Sequence, residues 1–153
     1  MKASYFAIFL DFDGVLNSDE TPDNLDFSKF AIQELNTLIV KTGAKIVVSS
    51  DWRRERTISE LQSILEIWGF AGEIIGKTTV WEDSGGWIDL RELECNRVKE
   101  IRLYLSEHPE ITNWIAIDDM DLPLGSDRLV RTDHRVGLTH KKTKEAIELL
   151  GEK

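Results

Sequence analysis

Residues 5–12 read Tyr-Phe-Ala-Ile-Phe-Leu-Asp-Phe, an unbroken apolar run that stops on an acid. Polar and apolar residues do not alternate here, so the segment does not suit a strand with one face in water. It suits a strand covered on both faces, as in the middle of a parallel sheet packed between helices. Lys45–Ser49 (KIVVS) and Trp114–Ile117 (WIAI) have the same character, and shorter strands are expected at Glu73–Ile75 and Arg128–Arg131. Helical patterns lie between them. Phe30, Ala31, Leu35, Leu38 and Ile39 recur at helical spacing over Ser28–Lys41, with Gly43 as the stop. Thr57 and Glu60 form a capping box that opens a helix to Trp68, Glu94–Glu107 is closed by His108-Pro109, and Thr139–Leu150 ends the series. Asp19–Asp26, with Pro22, and Thr78–Leu90, rich in Gly, Trp and charge, read as loops. This alternation predicts an α/β fold, a three-layer sandwich around a mostly parallel, Rossmann-like sheet. A chain of 153 residues gives one domain, residues 1–153, with one core.

The formal net charge is −9, which excludes a general attraction to nucleic acid or to an anionic membrane. Any such partner has to be held by a local basic patch. Cys95 is the single cysteine, so an intramolecular disulfide and a thiolate zinc cluster are both excluded, in keeping with a reducing cytoplasm. No segment reaches the roughly 18 apolar residues of a membrane helix. The run before Asp11 is too short for the apolar core of a signal peptide. The expectation is a cytoplasmic protein with no membrane and no disulfide partner.

In sheets of this kind ligands bind beyond the carboxyl ends of the strands. Those ends carry Asp11 and Asp13, then Ser49, Ser50, Asp51 and Arg53, then Asp118 and Asp119. Carboxylates drawn together from two distant segments repel one another unless a cation joins them, and Mg2+ prefers such hard oxygens. In extended chain residues i and i+2 point the same way, so Asp11 and Asp13 can face a site while Phe12 faces the core. Gly14 permits a sharp turn and close approach of a ligand. Ser49 and Ser50 supply donors suited to phosphoryl oxygens.

With these residues in view, the chain resembles the haloacid dehalogenase superfamily. Asp11-Phe12-Asp13-Gly14-Val15 matches its DxDGx motif, Ser49 its hydroxyl residue after a strand, Arg97 or Lys99 its later basic residue, and Asp118-Asp119 its paired acids. The runs VVSSDWR (Val47–Arg53), NRVKEIRLYL (Asn96–Leu105), WIAIDD (Trp114–Asp119) and DHRVGLT (Asp133–Thr139) are similar to a short phosphatase-like domain associated with bacterial RNA-repair proteins. Asp51 stands where that subfamily usually has a third serine. Its Arg-x-x-Glu-Ile pattern falls on Arg97, Glu100 and Ile101, which favours Arg97 over Lys99.

The resemblance implies a Mg2+-dependent phosphatase. Asp11 would attack phosphorus to form an aspartyl-phosphate, and Asp13 would act as acid and then base. Asp11, the Asp13 carbonyl and one or both of Asp118 and Asp119 would bind Mg2+, and Ser49, Ser50, Arg53 and Arg97 would hold phosphoryl oxygens. The short gaps between motifs resemble a capless or minimally capped member. Such an open site suits a phosphorylated substrate such as a nucleotide or an RNA or DNA end. A small-metabolite phosphatase, a receiver-like domain and a non-catalytic phosphate-binding module are the other readings, and oligomeric state is not specified. Trp81 and Trp87 read either as stacking groups on a flap or as anchors of the Thr78–Leu90 loop. Arg53, Arg54 and Arg56, and Lys141, Lys142 and Lys144, read either as phosphate-tracking patches or as solvated surface. Cys95, His108, His134 and His140 read as structural.

Overall fold

A computed structural model describes residues 3–81 and 89–153. The chain runs β1 (Tyr5–Leu10), α1 (Lys29–Thr42), β2 (Lys45–Val48), a single 3₁₀ turn (Asp51–Arg53), α2 (Ile58–Ile67), β3 (Ile74–Lys77), α3 (Leu90–Glu107), β4 (Ile111–Asp118), β5 (Leu129–Arg131) and α4 (His140–Leu150). The five strands form one sheet in the order β3-β2-β1-β4-β5, and every pairing is parallel.

The unbroken apolar run of β1 has the expected cause. It lies at the centre of the sheet, and its two faces enter different cores. Ile8 and Leu10 pack with Ile46, Val48, Ile115 and Ile117 against residues of α1, α2 and α4. Ala7 and Phe9 pack with Val47 and Ala116 against Val98, Ile101 and Tyr104 of α3. Three helices therefore cover one face and α3 covers the other. Strand order explains the split. From β1 to β3 the chain steps outward in one direction, so right-handed crossovers place α1 and α2 on the same face. The return from β3 to β4 runs the other way and places α3 opposite. The reversal leaves a crevice between the carboxyl ends of β1 and β4, where open α/β sheets bind ligands.

Local signals account for the helix ends. Ser28 caps α1 by accepting the Ala31 amide, and Gly43 ends it in the left-handed conformation at φ 71°. The Thr57–Glu60 capping box is formed in both directions. α3 begins at Leu90, four residues before the expected Glu94, because Asp89 caps it through the Glu92 amide. The Asp89-x-x-Glu92 spacing is a start signal that the apolar periodicity conceals, since the first turns of α3 are largely polar. β3 covers Ile74–Lys77 rather than Glu73–Ile75, and β4 begins at Ile111 rather than Trp114. β1 and β2 pair only as far as Leu10 and Val48, so Asp11, Phe12 and Ser49 follow the ladder rather than belong to it. Among the described residues no helix is long and apolar enough to cross a membrane.

Phe9 fills the α3 side of the sheet, meeting Tyr104 and Trp114 edge-to-face at centroid distances of 5.8 Å and 5.7 Å. Phe9→Ala is expected to reduce unfolding free energy by about 3–5 kcal/mol. Denaturant titration checks this, and a loss below about 1 kcal/mol would contradict the packing of α3 described here.

Candidate active site

The turn after β1 carries the first acids. Asp11 is buried, and its Oδ1 accepts the Phe12 amide at 2.9 Å. Phe12 enters the α1-side core, so the chain alternates through this turn as the sequence predicts. β4 ends on Asp118, whose Oδ1 accepts the Met120 amide at 2.9 Å. Carboxylate oxygens of Asp11, Asp118 and Asp119 all lie within 4.8 Å of one another. Gly14 makes this approach possible. Its φ is 82°, and a Cβ there would stand 2.5 Å from Asp119 Oδ2. Thr132, just after β5, ties the same turn down by donating its hydroxyl to the Gly14 carbonyl at 2.8 Å.

Arg97 enters from α3. Its Nη1 lies 2.9 Å from Asp118 Oδ2 and 3.2 Å from Asp11 Oδ2. All three side chains are nearly excluded from water. Burial pushes the Asp11 carboxyl well above the usual range, and Asp118 and Asp119 add to the shift while Arg97 opposes it. Burial also raises Asp118. Burial alone would lower Arg97, but the two carboxylates reverse this and hold it firmly charged. The guanidinium thus pairs with two of the three clustered carboxylates. The donor set is hard oxygen, compact and short of positive charge, which fits a divalent cation. Lys99 points elsewhere, with its Nζ 5.2 Å from the centre of the Trp81 ring.

The Asp13 side chain is separate from this cluster. It is exposed, and its Oδ1 accepts from Asn17 Nδ2 at 2.9 Å and Trp52 Nε1 at 3.1 Å. Asn17 also accepts the Gly14 amide and donates to the Asp26 carbonyl, so one side chain holds both ends of the loop. Trp52 is held in turn by Phe27, 5.0 Å away between ring centres, and by Arg56, 4.9 Å over its ring.

The segment after β2 divides its residues by task. Leu10 pairs with Val48, so Ser49 lies beside Asp11 at the strand ends. Ser49 is buried, and among the described residues its Oγ has no hydrogen-bond partner. A buried orphan hydroxyl costs free energy and stands ready for a ligand acceptor or donor. Ser50, by contrast, uses its Oγ to cap the 3₁₀ turn through the Trp52 amide. Arg53 points inward. It donates to the Thr78 carbonyl at 3.0 Å and the Ser50 carbonyl at 2.8 Å, and its Nη2 lies 2.9 Å from Glu100 Oε1. Burial lowers its pKa, with Glu100 acting against that shift. Arg53 thus stands as a strut within the site's wall, not as a hand extended toward solvent. Arg54 and Arg56 are committed to Asp51 and Trp52. Asp51 is largely exposed at 3.9 Å from Arg97 Nη2.

Glu100 is one residue that sequence reasoning left without a role. Its second oxygen accepts the Trp81 amide at 2.6 Å, so it joins β2's exit, the start of the 78–89 segment and α3. Trp81 is thereby anchored at its backbone. Trp87 lies outside the described residues. Asn17, Trp52 and Thr132 are further supports that were not identified. Trp52 and Glu100 sit inside the recurrent VVSSDWR and NRVKEIRLYL runs, which was the available signal. His134 pairs with Asp19 at the surface, 3.2 Å away.

Removing Glu100 leaves Arg53 charged and buried. Glu100→Ala is expected to destabilise the fold by about 3–5 kcal/mol. A thermal or denaturant series checks this. A near-neutral effect on stability would mean that Arg53 is free to serve substrate instead.

No curated protein and no solved structure matches the chain. Residues 7–143 match the family model described as the HAD domain in Swiss Army Knife RNA repair proteins. The match spans the whole arrangement above, from β1 to the first turn of α4, and indicates a hydrolase of the phosphatase type. The chain therefore belongs to the family of HAD domains found in Swiss Army Knife RNA repair proteins.

Proposed function

We propose that the protein is a Mg2+-dependent phosphomonoesterase that works through an aspartyl-phosphate on Asp11. The observation that carries this reading is the meeting of Asp11, Asp118 and Asp119 around one small volume beside the buried Arg97. When bound, Mg2+ would be held by Asp11, the Asp13 carbonyl, Asp118 and Asp119, and would screen the carboxylates from the incoming phosphate dianion.

The chain's own groups do the rest. Asp11 is fixed by the Phe12 amide on Oδ1, which leaves Oδ2 as the attacking atom, oriented by Arg97. Attack forms the Asp11 O–P bond and breaks the bond from phosphorus to the leaving oxygen. Asp13 delivers a proton to that oxygen. Asn17 and Trp52 hold its other carboxylate oxygen, and its exposure gives access to substrate and water. It then takes a proton from the water that cleaves the aspartyl-phosphate. Arg97 and the Ser49 hydroxyl hold the non-bridging oxygens of the phosphoryl group, and Arg53 keeps that wall in place. The described residues insert no domain over the carboxyl ends of the strands, which favours a large phosphoester such as a nucleotide or a nucleic-acid end in the cytoplasm. The small-metabolite reading finds no specific support in the described residues.

Phosphate release from an aryl phosphate, with Mg2+ and with chelator, tests the reaction. Activity is expected only with the metal, and Asp11→Asn should remove it while the folded state persists. Turnover near the wild-type level in Asp11→Asn would end the proposal. Asp13→Ala should cost about 10²–10⁴-fold on an alkyl phosphate, whose leaving oxygen needs a proton. The loss should be much smaller on a nitrophenyl ester. Equal losses on the two esters would remove Asp13 from the acid role.

A further inference from the structure

We propose that a cationic pocket next to Asp119 holds a second phosphate of the substrate, one that is not cleaved. This rests on the phosphatase reading and narrows its substrate class to phosphoesters that carry two phosphate groups.

The pocket encloses about 630 Å³ and is lined by Asp119, Arg131, Thr132, Asp133, His134, Arg135 and Lys142. Three of these side chains are cationic, on a protein whose formal net charge is −9. They come from the end of β5, the turn after it and the first turn of α4. Arg135 is spent on Asp133, which it grips with two nitrogens at 2.6–3.1 Å. Arg131 and Lys142 are the cations that remain. Arg131 is exposed, and its Nε donates to the Asp119 carbonyl at 3.1 Å, which steers the guanidinium over the turn that carries the paired acids. Lys142 is half-buried, with Glu145 at 3.4 Å as its carboxylate neighbour.

Position makes this pocket part of the substrate's path. Asp119 belongs both to the pocket and to the carboxylate cluster around Asp11. A phosphoester whose reacting phosphorus lies at Asp11 therefore has this pocket as its immediate surroundings. The volume exceeds what one phosphate needs and falls in the range of ordinary ligand sites, leaving room for the sugar or linker between two phosphates. Across an acidic surface a second phosphate is repelled, so a place where Arg131 and Lys142 meet it has a selective effect. Arginine and lysine are the side chains that hold phosphate oxygens best.

The test compares adenosine 5′-monophosphate, adenosine 3′,5′-bisphosphate and a 5′-phosphorylated trinucleotide, with Mg2+. The wild-type protein is expected to prefer at least one two-phosphate substrate in kcat/KM. Lys142→Ala and Arg131→Ala should each reduce that preference by about tenfold, chiefly through KM, the size of one charge-assisted contact. Preference for the trinucleotide alone would identify a backbone diester as the held group, and preference for the bisphosphate alone a terminal monoester. No preference in the wild type, or one that the two variants leave intact, would overturn the subsite. Calorimetric binding of the same ligands to Asp11→Asn separates this from the reaction itself. If the wild type released no phosphate from any ester, the phosphatase reading would fail, while tighter binding of the two-phosphate ligands, lost in Lys142→Ala, would still uphold the pocket.

Discussion

A guanidinium buried between two carboxylates organises this molecule. Arg97 reaches through the α3 face to Asp11 at the end of β1 and Asp118 at the end of β4, so a single cation joins the two strands that flank the crevice. Desolvating such a group is costly, and only close, well-aimed partners compensate. Arg97 has them, yet Asp119 adds a third carboxylate to the cluster, and Asp11 remains hard to ionise. The site is therefore poised for additional positive charge from a cation.

Around that centre runs a shell of supports that hold the site's residues in position. Asn17 and Trp52 hold Asp13, Thr132 holds the Gly14 carbonyl, and the Arg53–Glu100 pair joins the exit of β2 to α3. All but the Asn17–Asp13 bond link elements distant in sequence. The proposed phosphoryl transfer depends mainly on positioning and on charge placed in advance, and a rigid setting suits it. Ser49 is the exception within this shell. Among the described residues its buried hydroxyl has no partner, while its neighbour Ser50 caps the 3₁₀ turn.

Much of the architecture was legible in the chain itself. Strands β1, β2 and β4 show as apolar runs because both of their faces are buried, and the caps at Ser28, Thr57 and Thr139 show because unsatisfied helix-end amides select hydroxyl side chains. α3 was harder to delimit. Its first turns carry Arg91, Glu92 and Glu94 with little apolar rhythm, so its start is set by the Asp89 cap. The early end of β1 was also hidden, since Phe12 is as apolar as the strand before it although it already belongs to the turn.

Sequence by itself determined that acids and hydroxyls would stand at the ends of buried strands, because side-chain periodicity and burial are local properties of the chain. It also carried the motif order that places this protein in its family. Which of those residues meet was decided only in three dimensions. Arg53 and Arg97 are both basic residues in recurrent runs, yet one braces a wall and the other faces the nucleophile candidate. The same holds for Lys142, an unremarkable helix-start lysine until β5 and the following turn bring Arg131 and Asp119 beside it. Charge pairing acts over a few ångströms in space, and spacing along the chain sets no such distance until the sheet order is established.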